Sequence, residues 1–285
     1  MRTCLNCSGE LKGPDWSCPS CGFAPRRESG YLAFTSSRPD DAFVPEAFEW
    51  LAKAEEGFWW FDARNELIAW AVEKWCRNAR NILEIGCGTG VVAANIARRF
   101  PWLEVSVAEL FAEALPFVSR RIPAATVYQL DARAMPFRAE FDVIGGFDVI
   151  EHIDEDEKVL AAMHRALVPG GIVLITVPQH PFLWSRFDAY GHHKRRYTRR
   201  ELSIKLGAAG FDVLDMRSFV SLLMPLQLAA RLIPSSRDYD PQNEFRISPV
   251  VNTLLKKVMN VEVALVRSGL SFPFGGSLLA VARAV

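Results

Sequence analysis

The stretch NILEIGCGTGVVAANIARRF, residues 81–100, constrains this chain more than any other. An apolar run ends at Glu84 and Ile85, glycines follow at 86, 88 and 90, and a helical pattern begins at once. Glycine lets the backbone turn sharply and lie close to a ligand, and the helix beyond it offers N–H groups without partners. A strand must therefore feed a helix through a turn open to a bound molecule. By itself such a turn is a weak signal, shared with dinucleotide enzymes. The surrounding pattern gives it a setting. LEVSVAE, LFAEALPFVSRRI, ATVYQLD, FDVIGGFDVI, DEKVLAAMHRALV and GGIVLITVP read as strand, helix, strand, strand, helix and strand. That alternation implies an α/β protein whose parallel sheet is covered on both faces. A helical pattern also begins at Pro45, and TRRELSIKLGAAG reads as a helix closed by glycine. The strand FDVLDMRSFV follows it, and GGSLLAVARAV reads as a last strand pairing with that one.

Two acids sharpen the glycine turn. Glu109 ends the next strand, where a carboxylate can hold ribose hydroxyls, and Asp131 in QLDARAMPF follows the third strand at the mouth of the same crevice. Together LEIGCGTG, Glu109, LDARAMPF, FDVIGGFDVIEHI and LVPGGIVLITVP resemble the class I S-adenosylmethionine-dependent methyltransferases over most of residues 45–285. The resemblance implies a Rossmann-like doubly wound, mainly parallel seven-stranded sheet with an antiparallel C-terminal strand. It also implies S-adenosylmethionine as cofactor, with Gly86 and Gly88 against its methionine part and Glu84 and Gly90 among the cofactor-binding residues. Glu109 would hold the ribose, Asp131 would meet the adenine amino group and Phe147 would line the pocket. Arg64, in WWFDARNELI, matches an arginine that binds the cofactor carboxylate in quinone-type O-methyltransferases. Many relatives carry Asp where this chain has Glu109; the longer side chain can make the same bidentate contact.

Methyl transfer from a sulfonium is an in-line displacement, so positioning supplies much of the acceleration, and a hydroxyl acceptor additionally needs a base. DVIEHID offers Asp148, Glu151 and His152 beyond a strand end. Three readings stand: general base or substrate contact, polar capping of the next helix, or a divalent metal. The last follows a likeness to the E-x-x-E-H element of some quinone and RNA 3′-end methyltransferases. The loop after the fifth strand carries His180, His192, His193, Tyr197 and the cations Lys194, Arg195, Arg196, Arg199 and Arg200. It reads either as a solvated face or as a site for an anionic acceptor, and His193 joins Glu151 and His152 as a catalytic candidate. Its H-x-x-R-x-Y-T pattern resembles bacterial methyltransferases of small-molecule, lipid-linked or saccharide acceptors. The aromatics Phe58, Trp59, Trp60 and Phe61 fit either a cover over the cofactor or core packing.

Ahead of all this stand Cys4, Cys7, Cys18 and Cys21 in two CxxC pairs. Two such knuckles make a closed tetrahedral zinc site, structural rather than catalytic; a redox dithiol would sit in a βαβ pattern, which is missing here. Cys76 and Cys87 read as buried small apolar residues. We expect a zinc ribbon over 1–25, a linker over 26–44 and a methyltransferase domain over 45–285. Residues 220–270 would form a helical insertion and substrate cap. Within it, FVSLLMPLQLAARLI is too short to span a bilayer, and reads as a core or pocket-lining helix or as one meeting a membrane surface or apolar substrate. Lys+Arg and Asp+Glu balance at 33 each, which excludes a global basic field for nucleic acid. With neither a membrane span nor an apolar signal core, the expected location is cytoplasmic, with peripheral membrane contact open. The leading function is methylation, at oxygen, of a small-molecule, lipid-linked or saccharide acceptor. One alternative is an RNA methyltransferase gripping nucleic acid with its zinc ribbon, as bacterial ribosomal guanine methyltransferases join the same two parts. Another is a non-catalytic binder that retains the fold.

Overall fold

A computed structural model of the chain describes residues 2–11, 16–28, 30–35, 46–232 and 239–285. The first strands, β1 (Arg2–Thr3) and β2 (Glu10–Leu11), form a two-stranded antiparallel ladder. Then come β3 (Arg26–Glu28), β4 (Tyr31–Ala33), α1 (Ala47–Ala54) and α2 (Trp59–Trp75). The alternating part runs β5 (Asn81–Ile85), α3 (Val91–Arg99), β6 (Glu104–Glu109), α4 (Leu115–Arg121), β7 (Thr126–Gln129) and β8 (Phe141–Phe147). It continues through α5 (Asp156–Ala166), β9 (Leu167–Pro178), α6 (Arg186–Tyr190), α7 (Arg199–Ala208) and β10 (Phe211–Phe219). The chain closes with α8 (Met224–Leu232), α9 (Pro249–Arg267) and β11 (Ser277–Ala284).

The main sheet has the order β10-β11-β9-β8-β5-β6-β7-β4-β3. Its seven expected strands are all present, parallel from β7 to β9, with β11 antiparallel to both β9 and β10. β5 sits at the centre because Ile82, Leu83 and Ile85 are apolar and buried. The chain winds from β5 towards β7 and then returns to β8 on β5's other side. Ile85 lies beside Gly146 at that switch point, and a crevice opens beyond the two strand ends.

Two expectations change. The stretch read as a linker carries β3 and β4, which extend the sheet by two strands; its residues 36–44, and Pro45 where the helical pattern is expected to begin, lie outside the described residues. The physical reason is the run Tyr31, Leu32, Ala33, all buried, with β4 pairing parallel to the edge of β7. The helix expected from Leu110 begins only at Leu115, because Pro116 lacks an N–H and belongs in a first turn. The residues before it turn their N–H groups to Glu109 instead.

The 220–270 region supplies α8 and α9, and α9 packs on α2, with Met259, Val263 and Val266 joining Leu67, Ile68 and Val72 in one apolar cluster. Pro225 stands in the first turn of α8 rather than breaking it. Among the described residues no helix is long and apolar enough to cross a membrane. Cys76 and Cys87 are buried as expected, and burial pushes the Cys76 thiol up to about 12.

Candidate active site

A cavity of about 510 Å³ fills the crevice. Arg64, Glu84, Gly86, Gly88, Glu109, Asp131, Phe147, Glu151, His152 and His193 all border it, so one space joins the cofactor candidates to the catalytic ones. Gly90 lies deeper, at the N-cap of α3 with φ of 80°.

The glycine turn is a backbone requirement. Gly86 has φ of 57°, and a Cβ placed there would come 2.6 Å from both methyl carbons of Val149. An L side chain would meet a strained conformation and a collision together. Glu109 reaches back over the turn. Its Oε2 accepts the Gly88 N–H at 2.8 Å, and its Oε1 accepts those of Leu110 at 2.7 Å and Phe111 at 3.1 Å. Burial raises its pKa, and these N–H groups work against that rise. A carboxylate can accept about four hydrogen bonds, so one lone-pair site on Oε2 is left by these three.

Glu84 is buried with Oε2 lacking a hydrogen-bond partner. Burial pushes its pKa up to about 8 against the opposing charge of Arg64. Arg64, itself buried, donates to Asp148 Oδ2 at 2.7 Å and stacks 4.7 Å from the Trp60 ring centre. Asp148 also accepts from the Thr176 hydroxyl at 2.8 Å and occupies a left-handed conformation, φ of 58°, directly after β8. Asp131 is held from the side: Arg133 donates to it at 2.7 Å and also reaches Glu155 at 2.7 Å.

At the other end His152 Nδ1 lies 2.7 Å from the Gly191 carbonyl oxygen. A carbonyl only accepts, so Nδ1 carries the proton and Nε2 the lone pair. Burial, reinforced by the nearby His193, pushes the His152 pKa down to about 3 and keeps the ring neutral. The two imidazoles meet edge to face at 4.5 Å. Glu151 is fully buried, and neither carboxylate oxygen has a hydrogen-bond partner; burial and the charge of Asp148 push it well above the usual carboxylate range. Donor atoms of Glu151, His152 and His193 lie within 4.8 Å of one another. Asp148, grouped with Glu151 and His152 by sequence, is instead engaged with Arg64, and His193 takes its place in this cluster.

The basic run is taken up by the protein itself. Arg196 grips Asp188 with Nε at 3.0 Å and Nη2 at 2.9 Å, while His193 Nδ1 stands 3.0 Å from Asp188 Oδ1 without hydrogen-bond geometry. Burial works against the Asp188 charge, but His193, Arg196 and the Ser185 hydroxyl outweigh it and hold the carboxyl below the usual range. Arg195 pairs with Asp156 at 3.0 Å, and Lys194 lies 3.6 Å from Asp154. Tyr197 is buried and donates to Asp156 at 2.7 Å; Thr198 caps α7, and Arg199 donates to the Met216 carbonyl at 2.7 Å. Of the run, Arg200 is exposed, while Lys194 and Arg196 border the cavity with their charges paired. His180 and His192 adopt left-handed backbones, with φ of 64° and 55°, and neither borders the cavity.

Several contributors had little or no signal in the sequence. Glu55 on the turn after α1 accepts from Thr89 and from Arg121, at 2.8 Å for the latter, tying that helix to the glycine turn. Phe245 stacks on Phe61 at 6.1 Å and meets Phe58 at 5.2 Å, so those aromatics both pack and line the cavity. One missed element was legible: Ser185-x-x-Asp188 is a capping box, and it orients the acid that holds Arg196.

At the N-terminus the sulfurs of Cys4 and Cys21 lie 3.6 Å apart and those of Cys7 and Cys18 3.5 Å apart. Tetrahedral zinc, with Zn–S near 2.3 Å, sets its sulfurs about 3.8 Å apart. The four cysteines fit that ion, and the Asn6 N–H directed at Cys4 Sγ, 3.4 Å away, suits a thiolate ligand.

Strand order, glycine turn and paired acids define the class I methyltransferase architecture. The sequence profile of the Methyltransferase domain family matches residues 59–216, more than half of the chain, and the chain belongs to this family of S-adenosylmethionine-dependent enzymes. It is similar to a Mycolicibacterium smegmatis protein named "Probable S-adenosylmethionine-dependent methyltransferase", 30% identical over 168 residues. That match covers 57% of this chain and 62% of the relative. Similarity to the ubiquinone biosynthesis O-methyltransferase of Psychrobacter cryohalolentis is 27% over 109 residues, 36% of this chain and 42% of that one. Among solved structures, Haemonchus contortus phosphoethanolamine N-methyltransferase 2 in complex with S-adenosyl-L-methionine superposes with a TM-score of 0.52 at 19% identity. It covers 77% of this chain and 52% of that one, a likeness of fold.

Proposed function

We propose that this chain transfers the methyl group of S-adenosylmethionine to a hydroxyl oxygen of an apolar small-molecule or lipid-linked acceptor. The observation that carries the reading is the single cavity running from the glycine turn to the neutral His152, past an aromatic wall that includes Phe58, Trp60, Phe61 and Phe245. The cofactor supplies a methyl group already activated on sulfonium. Arg64 matches its carboxylate, the unpartnered Glu84 oxygen its ammonium, Glu109 its ribose and Asp131 its adenine, with Phe147 as wall. Gly86 and Gly88 let the backbone lie against it. His152 Nε2 would take the proton of the acceptor hydroxyl as that oxygen gains the methyl group the cofactor would supply. The Gly191 carbonyl orients that ring, and His193 buttresses it.

The rim supports an apolar acceptor. Gln227 borders the cavity, and its neighbours Leu226 and Leu228 are 58% and 41% exposed; Trp184, beside the cavity residue Ser185, is 41% exposed. An RNA acceptor would find less to grip, since Trp16 is buried and Arg2 is paired with Glu140. Labelled cofactor offered to lipid, saccharide, metabolite and RNA fractions tests the reading. Label is expected in the lipid or apolar metabolite fraction; label in RNA alone would overturn it.

A second reading rests on Glu151, whose buried oxygens face two imidazoles: a divalent cation held by Glu151, His152 and His193. Calorimetry with magnesium, manganese and zinc on the full chain decides between them. Saturable binding lost in Glu151→Gln favours the cation, and its absence leaves His152 as the base.

A further inference from the structure

Read as sequence, the Cys4 module is a small appendage. In the structure it lies against both segments of chain that hold Asp131 in the crevice. On the outgoing side, the Thr3 N–H donates to the Pro136 carbonyl at 2.7 Å, and Arg2 bridges Phe137 as an isolated antiparallel pair. The Arg2 guanidinium lies 3.9 Å over the Trp16 ring and pairs with Glu140 at 2.9 Å. Trp16, 4% exposed, meets Phe137 and Tyr128 at 5.9 Å and Phe34 at 5.0 Å. On the incoming side, β4 pairs Leu32 with Tyr128 and Ala33 with Gln129, and the Phe34 N–H donates to the Gln129 carbonyl at 2.8 Å. Gln129 is two residues before Asp131.

The metal ligands are part of the same packing. Cys4 adjoins Thr3, Cys18 is two residues from Trp16, and both buried thiols share one apolar cluster with Tyr128, Leu130, Met135 and Phe137. An ion that fixes Cys4 and Cys18 therefore fixes Thr3 and Trp16, two of the residues that touch the 131–137 loop. Freeing it lets Thr3 and Trp16 move, and the loop loses the surface against which it is ordered. Packed groups of this kind shift together rather than singly.

We infer that the Cys4 module positions the Asp131 loop, so that zinc in the module and the adenine end of the cofactor in the crevice bind with positive coupling. This rests on the reading above that Asp131 meets the adenine amino group. Coupling is reciprocal: whatever factor zinc adds to cofactor affinity, cofactor adds to zinc affinity. Trp16 and Thr3 are then positioning residues for cofactor recognition, and the module needs no nucleic-acid partner to matter for catalysis.

Calorimetry with S-adenosylhomocysteine on the full chain tests this, comparing zinc-loaded protein, chelator-treated protein, Trp16→Ala, Trp16→Phe and Asp131→Ala. A second titrant, S-inosylhomocysteine, carries a carbonyl in place of the amino group. Chelation and Trp16→Ala are expected to weaken S-adenosylhomocysteine by roughly 5- to 150-fold. Its inosine counterpart should change little, Trp16→Phe should restore binding, and saturating S-adenosylhomocysteine should tighten zinc by the same factor. Equal weakening of both titrants means general loss of structure and overturns the inference. Unchanged S-adenosylhomocysteine affinity in Trp16→Ala, with a loss in Asp131→Ala, also overturns it. No loss in Asp131→Ala overturns instead the assignment of the adenine site. Should the chelated chain unfold, Trp16→Ala and Trp16→Phe with zinc bound carry the same comparison.

Discussion

At one end of the cavity Gly86, Gly88 and Glu109 come from two consecutive strand ends, and their geometry is largely backbone: positive φ angles and N–H groups aimed at one carboxylate. At the other end His152, Gly191, Asp188 and Arg196 come from two separate loops, and their geometry is side chains neutralising one another. The first arrangement needs few partners and leaves lone pairs for a ligand. The second uses most of its charges internally, so on the proposed reading an acceptor meets mainly aromatic surface and a neutral imidazole. A strongly anionic acceptor would have to displace ion pairs that are already buried, at a cost.

Breaking the acceptor end alone should give the largest effect. His152→Ala is expected to lower turnover by about 10²–10⁴-fold while cofactor affinity stays within a factor of two. Single-turnover kinetics beside calorimetry reads both, and intact turnover would remove His152 as the base. Asp188→Ala should cost about 3–5 kcal/mol of stability by denaturant melt, because the buried Arg196 loses its counter-charge. A cost below 1 kcal/mol would mean that water reaches this pair.

The cofactor end breaks through the backbone. Gly86→Ala should cost about 2–4 kcal/mol, combining left-handed strain with the Val149 collision. Adding Val149→Ala should recover the collision part only. Full recovery in the double variant would show that φ is not what demands glycine there.

The finest test is of pH. Glu84 is protonated up to about 8 in the fold and has an ordinary value of 4.5. Between those values the unfolded chain releases a proton that the native chain keeps, so this group's contribution to stability falls as pH rises. Below 4.5 both states hold the proton and the contribution is complete. Glu84→Gln should flatten the melting-temperature profile between pH 4.5 and 8 relative to the parent chain and weaken S-adenosylmethionine; an unchanged slope would place the Glu84 pKa near its ordinary value.

Much of this was legible. The strand–glycine–helix turn, Glu109, Asp131 and the last strand follow from local pattern, because backbone conformation and strand ends are properties of short windows, whereas the antiparallel run of that last strand comes with the family resemblance. The acceptor end was only partly so. His152 and Glu151 were visible as residues, yet the exchange of Asp148 for His193 in their cluster depends on a loop some forty residues away. The basic run misled because a cation looks the same in sequence whether it faces solvent or a buried Asp188. The supposed linker misled because three residues of β4 acquire strand character only beside the open edge of β7.

The sequence by itself determined a class I methyltransferase family member with a left-handed glycine turn, two strand-end acids and a four-cysteine knuckle, since each is set by residues close in the chain. Only the tertiary structure decided which charges neutralise each other, that Asp148 turns to Arg64 rather than to Glu151, and that the cysteine module leans on the loop of Asp131. Those outcomes depend on burial and on distances between segments far apart in the chain, and neither quantity exists until the chain has packed.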